Sequence, residues 1–361
     1  MSVKPRNDTK TATPINTQTK HSFVWQGRDD QEDGERRYRL HHVMTPVTTL
    51  TEVTEEYGSK TSSPLALLGF GTDEGVKRNK GRIGAHQGPD LIRQALCNLA
   101  WHGEDSVYDL GNVATTQGAL EHNQALTANL ITRELPHAPI VVLGGGHEIA
   151  WSSFLGLAQH LKQHETAPRI GIINFDAHFD LRSYQSDDSD CHGHSLQSSS
   201  GTPFSQIADY CQSEDLAFQY MCIGVSKASN TQALFDRAEQ LSVTTLLDDD
   251  LLIGAKEAHL HTLECFMDSV DHLYLTIDLD VFNAAHAPGV SAPAALGISL
   301  DTFYPYFNAI LQQGDKIRVA DIAEYNPEFD IDGQTARLAA RLIWQVMSRL
   351  TQAKKAKPIT Q

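Results

Sequence analysis

Six ionisable residues of this 361-residue chain, His147, Asp176, His178, Asp180, Asp278 and Asp280, fall in three short segments that each follow an apolar run. In NFDAHFDLR (174–182), Asp176, His178 and Asp180 alternate with Phe175, Ala177 and Phe179. A two-residue period puts alternate side chains of an extended chain on one face. Ionisable groups crowded at a strand's end are costly to bury unpaired, and metal coordination offsets the lost hydration of carboxylates. TIDLDVF (276–282) repeats the device with Asp278 and Asp280, and LGGGHEIA (143–150) delivers His147 after three glycines. Taken singly, an Asp-x-Asp pair is often a loop or cap, and a glycine run before a helix binds phosphate or merely turns the chain. Together they point to a metal site. Four carboxylates and two imidazoles without a thiolate form an oxygen-rich donor set that suits manganese better than zinc or copper. Six side chains are too many for one ion with an open position. With two bridging aspartates they serve two ions about 3.5 to 4 Å apart, and a hydroxide between such ions is a nucleophile at neutral pH.

Something must carry these segments to one place. Short apolar runs bounded by turn residues alternate with stretches of helical period from residue 63 onward, the pattern of repeated βα units and a parallel sheet. The strand candidates are 64–70, 106–111, 139–145, 169–175, 218–225, 243–247, 272–278 and 317–324. Helices are expected near 88–100, 124–135, 153–164, 233–241, 300–311 and 335–350, where apolar residues recur at three- and four-residue spacings. Pro89 suits the first turn of its helix. The fold class is α/β, doubly wound, with ligands beyond the carboxyl ends of the strands. No break in composition divides 63–361, which reads as one catalytic domain. Residues 1–20, rich in Thr, Lys, Asn and Pro, read as a mobile tail, and 21–62 as an N-terminal extension of uncertain structure.

Composition narrows the partners. Hydrophobic residues at 40% and charged residues at 20% describe an ordinary globular protein, and the net charge of −16 disfavours nucleic acid or an anionic membrane surface. A small-molecule substrate is expected instead. The five cysteines are widely spaced with no CxxC pair, so neither a disulfide framework nor a thiolate zinc site is indicated and a reducing cytoplasm fits. Neither a signal-like leader nor an apolar run of about 18 residues occurs.

GGGHE, DAHFD, DLDVF and AEYNPEFD together resemble the four motifs of the ureohydrolase superfamily, arginase and agmatinase included, over residues 64 to 345. The resemblance implies a three-layer α/β/α fold with an eight-stranded, mostly parallel sheet, two manganese ions per subunit, and hydrolysis of a carbon–nitrogen bond in a linear amidine or guanidine. It implies that His147, Asp176, Asp180 and Asp278 hold one ion and Asp176, His178, Asp278 and Asp280 the other. Glu324 matches the carboxylate that grips the cationic amidine, its bland alternative being a strand-end surface charge. Asp180 is placed for general base work as well as ligation. A homo-oligomer, trimer or hexamer, is usual in the family.

Arg182 stands where arginase relatives carry a neutral Asn that meets the substrate's α-carboxylate. A guanidinium there can clamp a carboxylate through two parallel hydrogen bonds. Lys77, Arg78, Lys80 and Arg82 make one loop locally basic, though each alone reads equally as a solvated surface charge. Ser200, in SSSGTPF, replaces the His of arginases and agmatinases, so their proton shuttle is missing. Both SGTPF and DEGVKRNKGR resemble the formimidoylglutamase branch, which implies N-formimidoyl-L-glutamate plus water giving L-glutamate and formamide, a step of histidine degradation. His192 and His194 are candidates to take over proton transfer. The alternatives are an agmatinase or guanidinobutyrase, and a catalytically silent metal-binding relative.

Overall fold

The computed structural model describes residues 18–57, 64–103, 106–184 and 197–353. Ten strands form one sheet: β1 (Thr19–Lys20), β2 (Met44–Pro46), β3 (Leu65–Phe70), β4 (Val107–Val113), β5 (Ile140–Gly144), β6 (Ile170–Phe175), β7 (Gln219–Val225), β8 (Thr244–Leu247), β9 (His272–Asp278) and β10 (Ile317–Ala323). Eight run parallel in the order β4-β3-β5-β10-β9-β6-β7-β8, and these are the eight that the apolar runs predict. The expected sheet gains two edge strands. β2 adds parallel to the first half of β4, and β1 antiparallel to its end. Residues 19 and 20 therefore belong to the sheet and not to a tail; residues 1–17 lie outside the described residues.

Both faces of the sheet are covered, which is why its strands are apolar throughout rather than alternating. Leu65, Leu67, Val141, Leu143, Ile173, Phe175, Leu273 and Leu275 pack into one core with the helices Gly88–Leu96, Lys256–Asp268, Leu300–Gln312 and Gln334–Ala353. Their neighbours Ala66, Leu68, Ile140, Val142, Ile170, Ile172 and Tyr274 pack into the other, against Leu120–Glu134, Ile149–Lys162 and Pro203–Ser213. The layers are α/β/α. The six expected helices are present; Pro203–Ser213 and Lys256–Asp268 are additional, as are Leu50–Tyr57 in the N-terminal extension and the shorter helices Leu40–Val43, Glu74–Arg78 and Asp248–Ile253. Lys256–Asp268 buries only Leu263 and Met267, too sparse an apolar stripe to announce a helix.

The N-terminal extension is anchored at the β4 edge. Arg93, fully buried, donates twice to Asp109 at 2.8 and 3.0 Å, and Trp25 donates its indole N–H to the same carboxylate at 2.8 Å. A buried charge held this way leaves no donor or acceptor uncompensated. Among the described residues no helix is long and apolar enough to cross a membrane. Cys97, Cys211, Cys222 and Cys265 are free thiols.

Candidate metal centre

β5, β10, β9 and β6 are neighbours in the middle of the sheet, and each delivers part of one cluster at its carboxyl end. After β5, Gly145 and Gly146 let the chain pass against the turn at Thr72, with Gly145 N donating to Phe70 O at 2.8 Å and Gly146 N to Thr72 O at 2.9 Å. A Cβ on Gly145 would lie 1.8 Å from the Thr72 carbonyl oxygen, so the glycine there serves close packing and not phosphate binding. His147 then enters the cluster. β6 stops at Phe175, so the alternation of Asp176, His178 and Asp180 continues beyond the sheet. Asn230 holds that segment, accepting from Phe179 N at 3.1 Å and donating to Ala177 O at 2.9 Å. Asp180 takes a left-handed backbone, φ 48°. Asp278 ends β9 and accepts from Asp280 N at 2.8 Å, capping the short turn that carries Asp280.

His147 Nδ1 lies 3.1 Å from Asp176, 2.9 Å from Asp180 and 3.2 Å from Asp278 carboxylate oxygens, yet none meets it with hydrogen-bond geometry. Convergence of this kind fits a cation at the centre. His178 Nδ1 lies 3.1 Å from Asp280 and 3.5 Å from Asp176. Two donor sets result, each with its atoms within 4.8 Å of one another: His147, Asp176, Asp180 and Asp278, and Asp176, His178 and Asp280. The first is the set the resemblance implies. The second lacks Asp278, so Asp176 alone is common to both.

Electrostatics agree with a site that must take up positive charge. Burial, with Asp176 alongside, raises the Asp180 carboxyl to about 6. Burial and the charges of Asp280 and Asp176 push Asp278 well above the carboxylate range, and burial raises Asp280. Burial opposes ionisation of Asp176 too, but His147 and His178 outweigh it and hold that carboxyl low. Both imidazoles, burial notwithstanding, are driven toward the cationic form by these carboxylates. Buried Asp280 Oδ1 and Glu324 Oε2 have no partner among the described residues. Orphaned acceptors beside four crowded carboxylates are what divalent cations would satisfy.

Behind the cluster, His147 Nε2 lies 3.0 Å from Thr276 Oγ1. With Nε2 engaged by Thr276, Nδ1 is the nitrogen that faces the carboxylates. Thr276 and Asn174, which donates to Asp176 at 3.1 Å, sit two residues before Asp278 and Asp176. The same two-residue period that marks the motifs would have found both. Asn230 has no such signal.

Glu324 follows β10 with φ 64°, its backbone N donating to Gly145 O at 2.8 Å and its Oε1 accepting from His147 N at 2.8 Å. Left-handed non-glycine residues persist where surrounding structure over-determines them, commonly at functional sites. Burial and the nearby Glu148 raise its carboxyl well above the usual range. Above the cluster opens a cleft of about 320 Å³ lined by Asp180, Asp280, Glu324, Ser200, Lys80 and Arg182 among others. Arg182 is exposed, and among the described residues its guanidinium meets no acceptor. Ser200, where arginases carry His, is buried and accepts from Asn79 at 3.2 Å. His192 and His194 lie outside the described residues.

A parallel α/β/α sheet bearing a carboxylate–imidazole cluster at the carboxyl ends of its middle strands is the build of an arginase-fold hydrolase. The chain belongs to the Arginase family, whose model matches residues 63–348. It is 54% identical over 340 residues to the formimidoylglutamase of Vibrio parahaemolyticus, covering 93% of this chain and 97% of that protein. It is 52% identical over 338 residues to the formimidoylglutamase of Vibrio cholerae, covering 93% and 97%. Among solved structures, the fold is similar to formimidoylglutamase from Bacillus subtilis, with TM-score 0.72 at 21% identity over 90% of this chain and 96% of that one. Trypanosoma cruzi formiminoglutamase with Mn2+ gives TM-score 0.68 at 21% identity, over 84% and 97%.

Proposed function

We propose that this chain is a binuclear-manganese formimidoylglutamase, converting N-formimidoyl-L-glutamate and water into L-glutamate and formamide in histidine degradation. The observation that carries the choice of substrate is the 54% identity, over nearly all of both chains, to a formimidoylglutamase. His147, Asp176, Asp180 and Asp278 would hold one manganese ion, and Asp176, His178 and Asp280 the other. When bound, such a pair supplies a nucleophile at neutral pH and neutralises developing negative charge. Four aspartate charges would balance two divalent cations.

The remaining work falls to side chains of this chain. Glu324, fixed by His147 N, would receive the amidinium and turn its carbon toward the cluster. Asp180, which borders both the cluster and the cleft, would take a proton from the attacking water. Arg182 would hold a substrate carboxylate by its planar fork. Ser200 replaces the imidazole of arginases, so the leaving amine must draw its proton from another group. A homo-oligomer, trimer or hexamer, in the cytoplasm belongs to the same proposal, and light scattering of the purified protein tests the assembly.

Formamide and urea release measured across a panel of amidines and guanidines tests the assignment. Formamide from formimidoylglutamate supports it; urea from agmatine without formamide would overturn it, and no turnover by manganese-loaded protein would favour a silent relative.

A further inference from the structure

The four cations of the loop 77–82 are not equivalent. Arg78 is taken up by Glu121 and Glu74. Arg82 donates to Val290 O at 2.6 Å and Ser291 O at 2.8 Å while its guanidinium lies 3.6 Å over the Phe329 ring. Lys77 is not among the residues that line the cleft, and it pairs with Glu74 at 3.6 Å. Lys80 alone of the four both lines the cleft and, among the described residues, has an ammonium with no acceptor.

The backbone at Lys80 sharpens the contrast. Its φ is 62°, in the left-handed region, where it closes the short helix Glu74–Arg78. Lys80 N donates to Lys77 O at 3.0 Å and Gly81 N to Val76 O at 2.8 Å. Helix ends of this type favour Gly or Asn, and a lysine there pays a conformational cost that nothing in the local fold returns. A residue that breaks a local rule without structural compensation points to function. The loop that presents it is fixed on both sides. Asn79 donates to Ser200 at 3.2 Å, and Asn326 donates to Arg82 O and Ile83 O, both at 2.9 Å. The fixed backbone places the lysine stem at one point of the cleft, so only the side chain has to be ordered when an anion binds.

We infer that Lys80 is a specificity-determining residue whose ammonium holds one carboxylate of a dicarboxylate substrate while Arg182 holds the other. The inference rests on the formimidoylglutamase reading above and deepens it. Of the residues lining the cleft, Lys80 and Arg182 are exposed whereas Asp278, Asp280 and Glu324 are buried, so the cleft is cationic at its solvent side and anionic at its buried side. A molecule with one amidinium and two carboxylates matches that polarity. A substrate with an amidinium and no carboxylate leaves both cations unmatched.

The test uses the manganese-loaded wild type, Lys80→Asn and Lys80→Arg, with N-formimidoyl-L-glutamate and its two analogues lacking either the α- or the side-chain carboxylate. For Lys80→Asn, KM for the parent should rise about 10- to 100-fold, the effect of losing one charged hydrogen bond, with kcat within about 3-fold. KM for one analogue, the one already lacking the contacted carboxylate, should be unchanged. The melting temperature should not fall, because Asn suits the left-handed backbone. Lys80→Arg should retain most of the affinity. Unchanged KM in Lys80→Asn, or an equal rise for both analogues, overturns the role of Lys80 and leaves the reaction standing. No formamide from the wild type overturns the reaction and the inference with it.

Discussion

Thr276 Oγ1 lies 3.0 Å from Nε2 of His147, so this hydroxyl holds the ring with its other nitrogen, Nδ1, facing the aspartates. Outer partners of this kind set the tautomer and orientation of a ligand and are worth about 10- to 100-fold in metal affinity. Thr276→Val, close in shape, should weaken manganese binding by that factor without unfolding the protein. A manganese titration followed by calorimetry checks it, and unchanged affinity would show that His147 needs no such support.

Asp278→Ala should lose manganese and activity together, because Asp278 meets His147 Nδ1 and caps the turn that carries Asp280. Manganese should raise the melting temperature of the wild type and leave the variant's unchanged, by mass action on the folded state. An active, metal-free Asp278→Ala protein would refute the metal centre.

The raised carboxyl of Asp180 makes the metal-free protein sensitive to acid in an unusual direction. Its value moves from 3.8 to about 6 on folding, so the folded state binds a proton more readily than the unfolded one. The stability from this group is fully present below pH about 4 and is lost as pH rises through about 6. Manganese competes with the same proton, so its affinity should climb over that range. Melting of chelator-treated protein against pH should fall across it, and Asp180→Asn should flatten that contribution.

Glu324→Gln keeps an oxygen for His147 N but loses the negative charge proposed to meet the amidinium. Activity should drop by two orders of magnitude or more, on the scale of removing one transition-state hydrogen-bond partner, with manganese affinity retained. Steady-state kinetics beside a metal titration separates the two effects.

Gly145 and Gly201 predict opposite failures. A methyl on Gly145 meets backbone, the Thr72 carbonyl oxygen at 1.8 Å, so Gly145→Ala should shift His147 and cost both stability and activity. A methyl on Gly201 meets the flexible Arg182 side chain at 2.8 Å and Asn79 at 3.0 Å. Gly201→Ala should therefore melt within a few degrees of the wild type yet raise KM by displacing Arg182. Melting curves and KM values on the two variants distinguish backbone from side-chain obstruction.

Legibility in the sequence followed burial and charge. The eight parallel strands were readable because strands covered on both faces are continuous apolar runs, as in PIVVLGG and RIGIINF. β1 and β2 were not: two and three residues long, they exist because the β4 edge offers them partners. The six ionisable residues announced themselves by type and two-residue spacing, and the structure gathers them into two donor sets that share Asp176. Thr276 and Asn174 share that spacing but carry no charge, so they passed as ordinary strand residues. Asn230 and Asn79 reach the site from loops whose paths depend on tertiary packing. Lys80 was visible only as one of four basic residues; the ion pairs that occupy two of its neighbours, and the carbonyls that occupy the third, appear only in three dimensions.

The strand order has a consequence for biogenesis. β5 and β6 are consecutive in the chain, yet β10 and β9 lie between them in the sheet. Until the last third of the polypeptide has left the ribosome, the edges that β9 and β10 will occupy stay open, and His147 cannot approach Asp278 because Asp278 does not yet exist. Long-range parallel pairing of this kind is slow, and unpaired edges invite aggregation while it waits. Chains truncated before residue 317 would lack β10 and Glu324 and leave the β5 and β9 edges that flank β10 exposed.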